Sequence, residues 1–591
     1  MLLSRVRGAL PRAYPSRLGI PLASSRVSIS TLPTNVSGLL DFKPSDAVED
    51  VKIDGYVRSV RAQKRHHFVA LGDGSSLESL QAVVPADQAE GLTIGAAVRL
   101  DGSWVPSQGR GQSHELQVSQ ATVLGPSDAK TFPIQKKYQT PEFLRSLPHL
   151  RPRVPFNSTV LRFRSEVIAS LTSFFNSRQF VQTHPPIFTA SDCEGAGEVF
   201  HVLTENERTA SAADLPKPFF RRPVYTTVSS QLHLEALAQG LGNVWTLSPT
   251  FRAEQSDTPR HLSEFYMLEA ELSFTDSQSV VMDLVEDMLK YVASNLSESK
   301  VASELLSTVG DRSPDLAPTE QVVQRWRGLA QDMWPRITYT EAIKLLEDAS
   351  VPFSHKPTWG KDLHTEHEKF IATKVGRECS PVFVTDYPRD IKPFYMKAGD
   401  IDCAVSSKTT VECFDLLVPE FCEIAGGSMR EHRLENLIES MLARGLNPTS
   451  SSENHSKSLR EPDNNLDWYL DLRRWGCPPH GGFGLGFDRL MCYLTGVQTI
   501  HDTTAFPRCA KAAEQPSRPC FGHMLSKVPS PTRIERHVGA NIGGCTVQLI
   551  IANARQMHGR DIIVMGGRTN TSQDTVPGSV IDLDRVYSSD K

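Results

Sequence analysis

Two stretches of the chain carry residue types that could grip phosphate. The first runs Thr250-Phe251-Arg252-Ala253-Glu254-Gln255-Ser256-Asp257-Thr258-Pro259-Arg260-His261-Leu262-Ser263-Glu264-Phe265 and continues to Glu269-Ala270-Glu271-Leu272. Apolar and charged residues alternate on both sides of a polar loop that contains Pro259, the pattern of two antiparallel strands joined by a long loop. Strand side chains alternate between faces, so the charged ones gather on one face, where they can hold a polyanion. The second stretch is Gly481-Gly482-Phe483-Gly484-Leu485-Gly486-Phe487-Asp488-Arg489-Leu490. Its glycines permit close backbone approach, and a helix beginning near Phe487 carries Arg489 on its first turn, placed to bind a phosphate bidentately. Taken singly, a glycine-rich segment also fits a simple turn, and an Arg–Glu hairpin also fits a solvated face. Their occurrence together, in this order and far apart in the chain, is what is specific.

Other chemistries lack their signatures. There is no GxxxxGK[ST] loop, no HExxH and no strand-embedded GxSxG. The ten cysteines form no CxxC pair, which argues against a cysteine zinc site and against a disulfide framework, and points to a reducing compartment. No apolar run approaches the roughly 20 residues of a membrane helix, so no membrane is expected. The chain has 591 residues, 39% hydrophobic and 22% charged, an ordinary globular composition for two to four domains. Its net charge of −5 excludes a polycation that coats nucleic acid but leaves room for a local basic surface.

The elements that must position these residues are legible as patterns. From about 48 to 125, alternating runs appear at 51–57, 68–71, 80–84, 98–105 and 115–118, punctuated by Gly and Ser, which predicts a small five-stranded barrel of the oligonucleotide-binding (OB) type over 41–125. Arg58, Arg61, Lys64 and Arg65 cluster there, followed by Phe68 and Gln81, a set suited to a splayed single-stranded RNA loop. Residues 126–158 form a basic hinge. Lys130, Lys136, Lys137, Arg145, Arg151, Arg153, Arg162 and Arg164 face a single acid, Glu142, between 130 and 164, so RNA-backbone contact is expected as readily as plain solvation. Helical spacing marks Val160 to Phe175 and Val280 to Leu296, and 446–465 reads as a polar insertion. Strands followed by mixed strands and helices predict an α+β protein: a barrel, then a large domain over 159–508. Residues 1–40 hold five Arg, seven Ser and no acid, the composition of a mitochondrial transit peptide. Residues 509–591 form a C-terminal extension with strand-like runs at 547–552 and 562–565.

The two phosphate-gripping stretches resemble motifs 2 and 3 of class II aminoacyl-tRNA synthetases, and His184-Pro185-Pro186-Ile187 resembles motif 1. A barrel ahead of the catalytic domain is the arrangement of the aspartyl, asparaginyl and lysyl subgroup. Asp192 to Phe200, Phe251 to Glu271, Asp386 to Met396, Glu423 to Glu431 and Tyr469 to Arg474 are similar to asparaginyl-tRNA synthetases, over roughly 48–508. The resemblance implies a class II catalytic domain on an antiparallel sheet with flanking helices. It implies activation of asparagine with ATP and Mg2+, then transfer to tRNA(Asn), by a homodimer in the mitochondrial matrix, with the cytoplasm as the alternative compartment. An aspartyl or non-discriminating enzyme and an inactive RNA-binding paralogue are the alternative functions.

The resemblance also implies residue roles. Arg252 bridges the amino-acid carboxylate and the α-phosphate. Glu254 accepts from the adenine amino group, Phe265 stacks on adenine, Arg260 and His261 hold the β/γ-phosphates, and Arg489 lies against adenine and the γ-phosphate. Asp415 and Glu423 ligate Mg2+. Gln231, Glu235 and Arg430 line the asparagine pocket, with Glu194 and Glu198 toward the α-ammonium. Leu234 stands at the position, three residues after Gln231, where aspartyl enzymes place a Lys, and Glu235 follows it, so Glu235 is expected to accept from the amide and repel a carboxylate. Arg58, Arg61, Phe68 and Gln81 are expected at the anticodon. Met429 and Ser230 depart from the subgroup's usual Gln and Gly.

Overall fold

The computed structural model describes residues 33–109, 111–190, 199–205, 219–220, 222–256, 258–308, 316–377, 379–399, 409–446, 466–509, 538–542 and 545–549. The chain divides into two units, Met1–Ala513 and Glu514–Lys591.

The first unit opens with a closed barrel of β1 (Val48–Ala62), β2 (His66–Gly72), β3 (Leu80–Pro85), β4 (Ala97–Pro106) and β5 (His114–Gly125), in the order β1-β2-β3-β5-β4. The alternation read in the sequence sorts the side chains. Val51, Ile53, Val69, Leu71, Leu80, Val84, Val98, Leu100 and Leu116 fill the interior, while Phe68 and Gln81 stay partly exposed on the outside. A helix, Val36–Asp41, capped by Asn35, drives Val36 and Leu39 into the same core. The Val36 N–H donates to Asp73 Oδ2 at 2.8 Å and the Ser37 N–H to Ser75 Oγ at 2.9 Å. The end of the 1–40 segment is thus packed into the barrel core.

The hinge departs from expectation. Its arginines are consumed inside the protein. Arg151, 1% exposed, donates to Asp502 Oδ1 at 3.1 Å and to the carbonyl oxygens of His501, Thr504 and Ala505. Arg145 pairs with Glu142 and Asp502, Arg162 with Glu304 and Arg164 with Asp488. Arg153 stacks on Tyr56 at 4.0 Å and donates to Gly95 O at 2.7 Å, fixing the hinge to the barrel. Only Lys130, Lys136 and Lys137 remain as exposed cations of that set.

The remainder of this unit is built on an eight-stranded sheet. Its strands are β6 (Val181–Gln182), β9 (Val244–Phe251), β10 (Glu264–Ser273), β11 (Arg336–Thr338), β12 (Val382–Thr385), β13 (Cys413–Val418), β14 (Cys422–Met429) and β15 (His480–Gly486), ordered β11-β12-β13-β14-β15-β10-β9-β6. Two short strands, β7 (Phe188–Thr189) and β8 (Tyr225–Thr226), pair separately. The large sheet is antiparallel except at its edges, where β11 runs parallel to β12 and β6 to β9. Helices Pro155–Ser177, Gln278–Ser297 and Phe487–Thr495 cover one face, burying Phe163, Phe175, Met288, Leu289 and Leu490 against Leu268, Phe483 and Leu485. The opposite face of β10, β14 and β15 carries the charged residues.

In the second unit, Val538–Ile542 and Cys545–Leu549 pair as an antiparallel hairpin. The latter strand overlaps the 547–552 run at 547–549, and 550–552 lie outside the described residues. The 562–565 run and the 446–465 insertion, apart from 446, lie outside the described residues.

Candidate functional site

The hairpin read from alternation is β9 and β10, registered Phe251 to Glu264 and Leu247 to Leu268, with residues 252–263 as its loop. Leu268, Ala270 and Leu272 belong to the core, which turns Glu269 and Glu271 to the other face. Opposite them in β15 stand Gly484 and Gly482. The glycine run is therefore a strand rather than a turn, and its missing side chains leave the floor of a cavity. A Cβ at Gly482 would lie 2.0 Å from Glu271 Oε2. In β14, Gly426 pairs with Gly484, and a Cβ there would lie 3.3 Å from both Asp415 Oδ1 and Glu423 Oε1.

The cavity above this floor has a volume of ≈ 330 Å³. Gln231, Leu234, Arg252, Glu269, Glu271, Lys392, Tyr395, Asp415, Glu423 and Arg430 line it. The structure thus brings together five of the expected residues: Gln231, Arg252, Asp415, Glu423 and Arg430. Beside Arg252 the loop supplies Glu254, Arg260 and His261, and β10 supplies Phe265. Arg252 lies 4.0 Å from Glu254 and 5.7 Å from the Phe265 ring centre, and His261 lies 3.6 Å from Glu254. Burial lowers the His261 pKa. Arg260 donates to Glu420 O and, at 3.4 Å, to Cys422 Sγ. Arg489, on the first turn of its helix, donates to Glu423 O at 3.0 Å. Glu194 and Glu198 lie outside the described residues.

Two expected residues are placed elsewhere. Glu235 does not reach the cavity. It is fully buried behind Gln231, accepting from Gln231 Nε2 at 3.1 Å, Tyr469 Oη at 2.8 Å, Arg473 Nη2 at 2.7 Å and His480 Nε2 at 3.1 Å. Burial opposes its charge, yet Arg473 and His480 hold the carboxyl well below the usual range. The carboxylate beside Arg430 is Glu271: Nε lies 3.2 Å from Oε1 and Nη2 3.1 Å from Oε2. Arg58 is the other correction. The β1–β2 register shifts between Val57 and Ser59, and Arg58 is the extra residue of that bulge. It turns to the 76–79 loop, donating to Leu77 O, Ser79 Oγ and Ser76 O, and is spent there rather than offered to RNA. Arg61 does cover the Phe68 ring, at 4.6 Å, beside Gln81 on the neighbouring strand.

The sequence reading missed Glu269, Glu271, Lys392 and Glu368. Glu269 accepts from the Ser230 N–H at 2.9 Å and the Ser229 hydroxyl at 2.5 Å. Burial pushes the Glu269 and Glu271 carboxyls up. Lys392 donates to Asp415 Oδ2 at 2.8 Å. Glu368 is pushed up to about 7 by burial and by the charges of Glu423 and Asp415. The signal for Glu269 and Glu271 was present: both sit on the charged face of the alternating strand. Chemically, the cavity pairs a buried Arg–carboxylate reader on one wall with cations and two convergent carboxylates on the other. Such a site can hold a small zwitterion beside a polyphosphate.

Comparison with known proteins agrees with this arrangement. Residues 141–510 match the family model described as tRNA synthetases class II (D, K and N), and residues 51–124 match that of the OB-fold nucleic acid binding domain. The mitochondrial asparagine–tRNA ligase of Saccharomyces cerevisiae is 42% identical, over 78% of this chain and 92% of its own. The asparagine–tRNA ligase of a Nostoc species is 41% identical, over 79% and 96%. The crystal structure of asparaginyl-tRNA synthetase from Pyrococcus horikoshii complexed with asparaginyl-adenylate superposes with a TM-score of 0.67 at 27% identity, covering 81% of this chain and 99% of that one.

Proposed function

The chain belongs to the class II aminoacyl-tRNA synthetases of the D, K and N group, and from that membership we propose that its cavity activates asparagine with ATP and that the enzyme passes the asparaginyl group to tRNA(Asn). The observation that carries the choice of amino acid is the buried Arg430–Glu271 pair on the cavity wall. Arg430 donates to the amide oxygen of asparagine, and Glu271 accepts from its NH2. An aspartate side chain would set a second carboxylate against Glu271, a repulsion that a low-dielectric pocket magnifies. Leu234 offers that carboxylate no cation.

In the first step a carboxylate oxygen of asparagine attacks the α-phosphorus of ATP, forming the acyl–phosphate bond as the bond to pyrophosphate breaks. In the second, the 3′-terminal hydroxyl of tRNA attacks the acyl carbon and AMP leaves. Neither step needs a covalent enzyme group. Positioning and charge neutralisation suffice. Arg252, the first residue of the loop and part of the cavity lining, holds both the amino-acid carboxylate and the α-phosphate in this reading. Phe265, Glu254 and Arg489 take the adenine, with Arg260 and His261 on the outer phosphates.

Asp415 and Glu423 fit Mg2+. Their oxygens converge above Gly426, and burial together with the Asp415 charge raises the Glu423 carboxyl, a repulsion that a divalent cation relieves. When bound there, the ion neutralises phosphate charge.

The remaining readings have separate supports. The Arg- and Ser-rich, acid-free N-terminus supports import into the mitochondrial matrix. Val181, Ile187 and Phe188, exposed by 41%, 39% and 51% around the expected first motif, support a homodimer through that face. No described helix is long and apolar enough to cross a membrane. Phe68 and Gln81, half-exposed beside Arg61, support anticodon contact.

Amino-acid-dependent ATP–pyrophosphate exchange tests the central reading. Exchange with asparagine and none with aspartate is expected. Exchange with aspartate would remove the role given to Glu271, and exchange with neither, on folded protein that binds tRNA, would leave an inactive paralogue.

A further inference from the structure

His480 opens β15 at 2% exposure and lines no part of the cavity. Its Nδ1 lies 2.9 Å from Pro478 O, and its Nε2 lies 3.1 Å from Glu235 Oε2. Both partners can only accept a hydrogen bond. A neutral imidazole has one N–H and would set a lone pair against a lone pair at the other nitrogen, so the geometry requires both protons. Burial opposes the charge, but the contact with Cys477, the hydrogen bond and charge of Glu235 and the charge of Glu271 together push the ring up to about 10.

A ring nitrogen of His480, an oxygen of Glu235 and an oxygen of Glu271 lie within 4.8 Å of one another. The carboxylates are already engaged, Glu271 by Arg430 and Glu235 by Arg473 and Tyr469. Charges therefore alternate along the back of the cavity: Arg430, Glu271, His480, Glu235, Arg473. Cys477 near Nδ1 and His432 complete the titratable groups that sense this ring.

We propose that His480, as an imidazolium, is a positioning residue that keeps Glu271 ionised beside Arg430 and thereby excludes aspartate. The balance at Glu271 explains why a second cation matters. Burial and the Glu235 charge both favour the neutral acid, while Arg430 and His480 oppose them. A protonated Glu271 would donate where it must accept. The asparagine NH2 would lose its partner, and an aspartate carboxylate would gain a donor. His480 touches no substrate and acts wholly through Glu271. The inference rests on the reading of Glu271 and Arg430 as partners of the asparagine amide.

The test is ATP–pyrophosphate exchange on the full chain with asparagine and with aspartate, from about pH 6 to about pH 9, for the native enzyme, His480→Gln and Glu271→Gln. In the native enzyme the asparagine KM stays flat and aspartate stays inactive throughout. In His480→Gln the asparagine KM rises on the order of tenfold at the acid end with kcat little changed, aspartate exchange appears there, and both effects fade as pH rises. A native KM that itself climbs toward low pH with growing aspartate exchange would overturn the proposal without any variant. So would a folded His480→Gln protein with native behaviour, or one whose loss is the same at every pH and for both amino acids. Glu271→Gln separates the two layers: discrimination retained there defeats the amide reading, whereas discrimination lost there but kept in His480→Gln defeats only the role of His480.

Discussion

Arg430, the residue that follows β14, and Glu271 of β10 meet across the intervening strand β15 as a pair buried to 4% and 1% side-chain exposure, with Nη2 3.1 Å from Oε2. The Glu271 carboxylate has room because β15 places Gly482 opposite it, where any Cβ would collide with that carboxylate. A buried ion pair of this kind is weak evidence for stability, since desolvation consumes most of the Coulombic gain. Its placement on a cavity wall favours a recognition role instead.

Replacing Glu271 with Gln keeps the shape and removes the charge. The asparagine amide then meets a partner that can donate as well as accept, and Arg430 loses its counter-ion. A loss of about 3 kcal/mol, on the order of 100-fold in kcat/KM for asparagine, is expected. The measurement is pyrophosphate exchange, with the melting temperature recorded alongside to separate recognition from stability.

Arg58 and Phe68 lie ten residues apart and should fail differently. Arg58→Ala strips the 76–79 loop of three hydrogen bonds, and that loop also holds Glu304 through Ser76 and Leu77. It should cost about 1–3 kcal/mol of stability. Phe68→Ala should leave the melt nearly unchanged and weaken tRNA by about 1–3 kcal/mol, the worth of one stacked base. Calorimetry and aminoacylation KM for tRNA, measured on both proteins, decide it. Pyrophosphate exchange by Phe68→Ala should stay native, because amino-acid activation takes place in the other domain.

What could be read from the sequence depended on local repetition. The β9–β10 hairpin, the barrel strands and the helix bearing Arg489 are legible because period-2 and helical patterns report the face a residue occupies. Arg58 was misread because a β-bulge breaks that period without leaving a mark in residue types. Glu235 was misread for a different reason. Gln231 and Glu235 share a face of the helix Gln231–Leu241, being four apart, so the sequence could place both near the substrate. It could not show that Tyr469, Arg473 and His480, more than 200 residues on, close over Glu235. The hinge arginines fail likewise: their partners Asp488 and Asp502 lie at the far end of the domain.

The hinge prediction uses that contrast. Asp502→Asn leaves Arg151, almost wholly buried, without its counter-ion, and Arg145 with Glu142 alone. About 3–5 kcal/mol of stability should be lost, as thermal melts would show. Replacing Lys136 and Lys137 with Ala should leave the melt in place. If either lysine meets a phosphate, the slope of log K for tRNA against log salt becomes shallower by about 0.7–0.9 for each contact removed.

The N-terminal boundary can be tested by truncation. Asn35 caps a helix whose Val36 and Leu39 have no exposed surface and whose backbone amides bind Asp73 and Ser75. Burying a Val or Leu side chain contributes about 1.5–3 kcal/mol each, so removing both should destabilise the barrel by roughly 3–6 kcal/mol. A protein starting at residue 33 should therefore melt as the full chain does, while one starting at residue 41 should show an earlier barrel transition, weaker tRNA binding and near-native pyrophosphate exchange. Equal melts for the two proteins would mean that the helix adds nothing to the barrel, and the leader could then extend to residue 40. Unequal melts would confine any processing site to the residues before Asn35, since cleavage beyond it would release a mature enzyme lacking part of its own core.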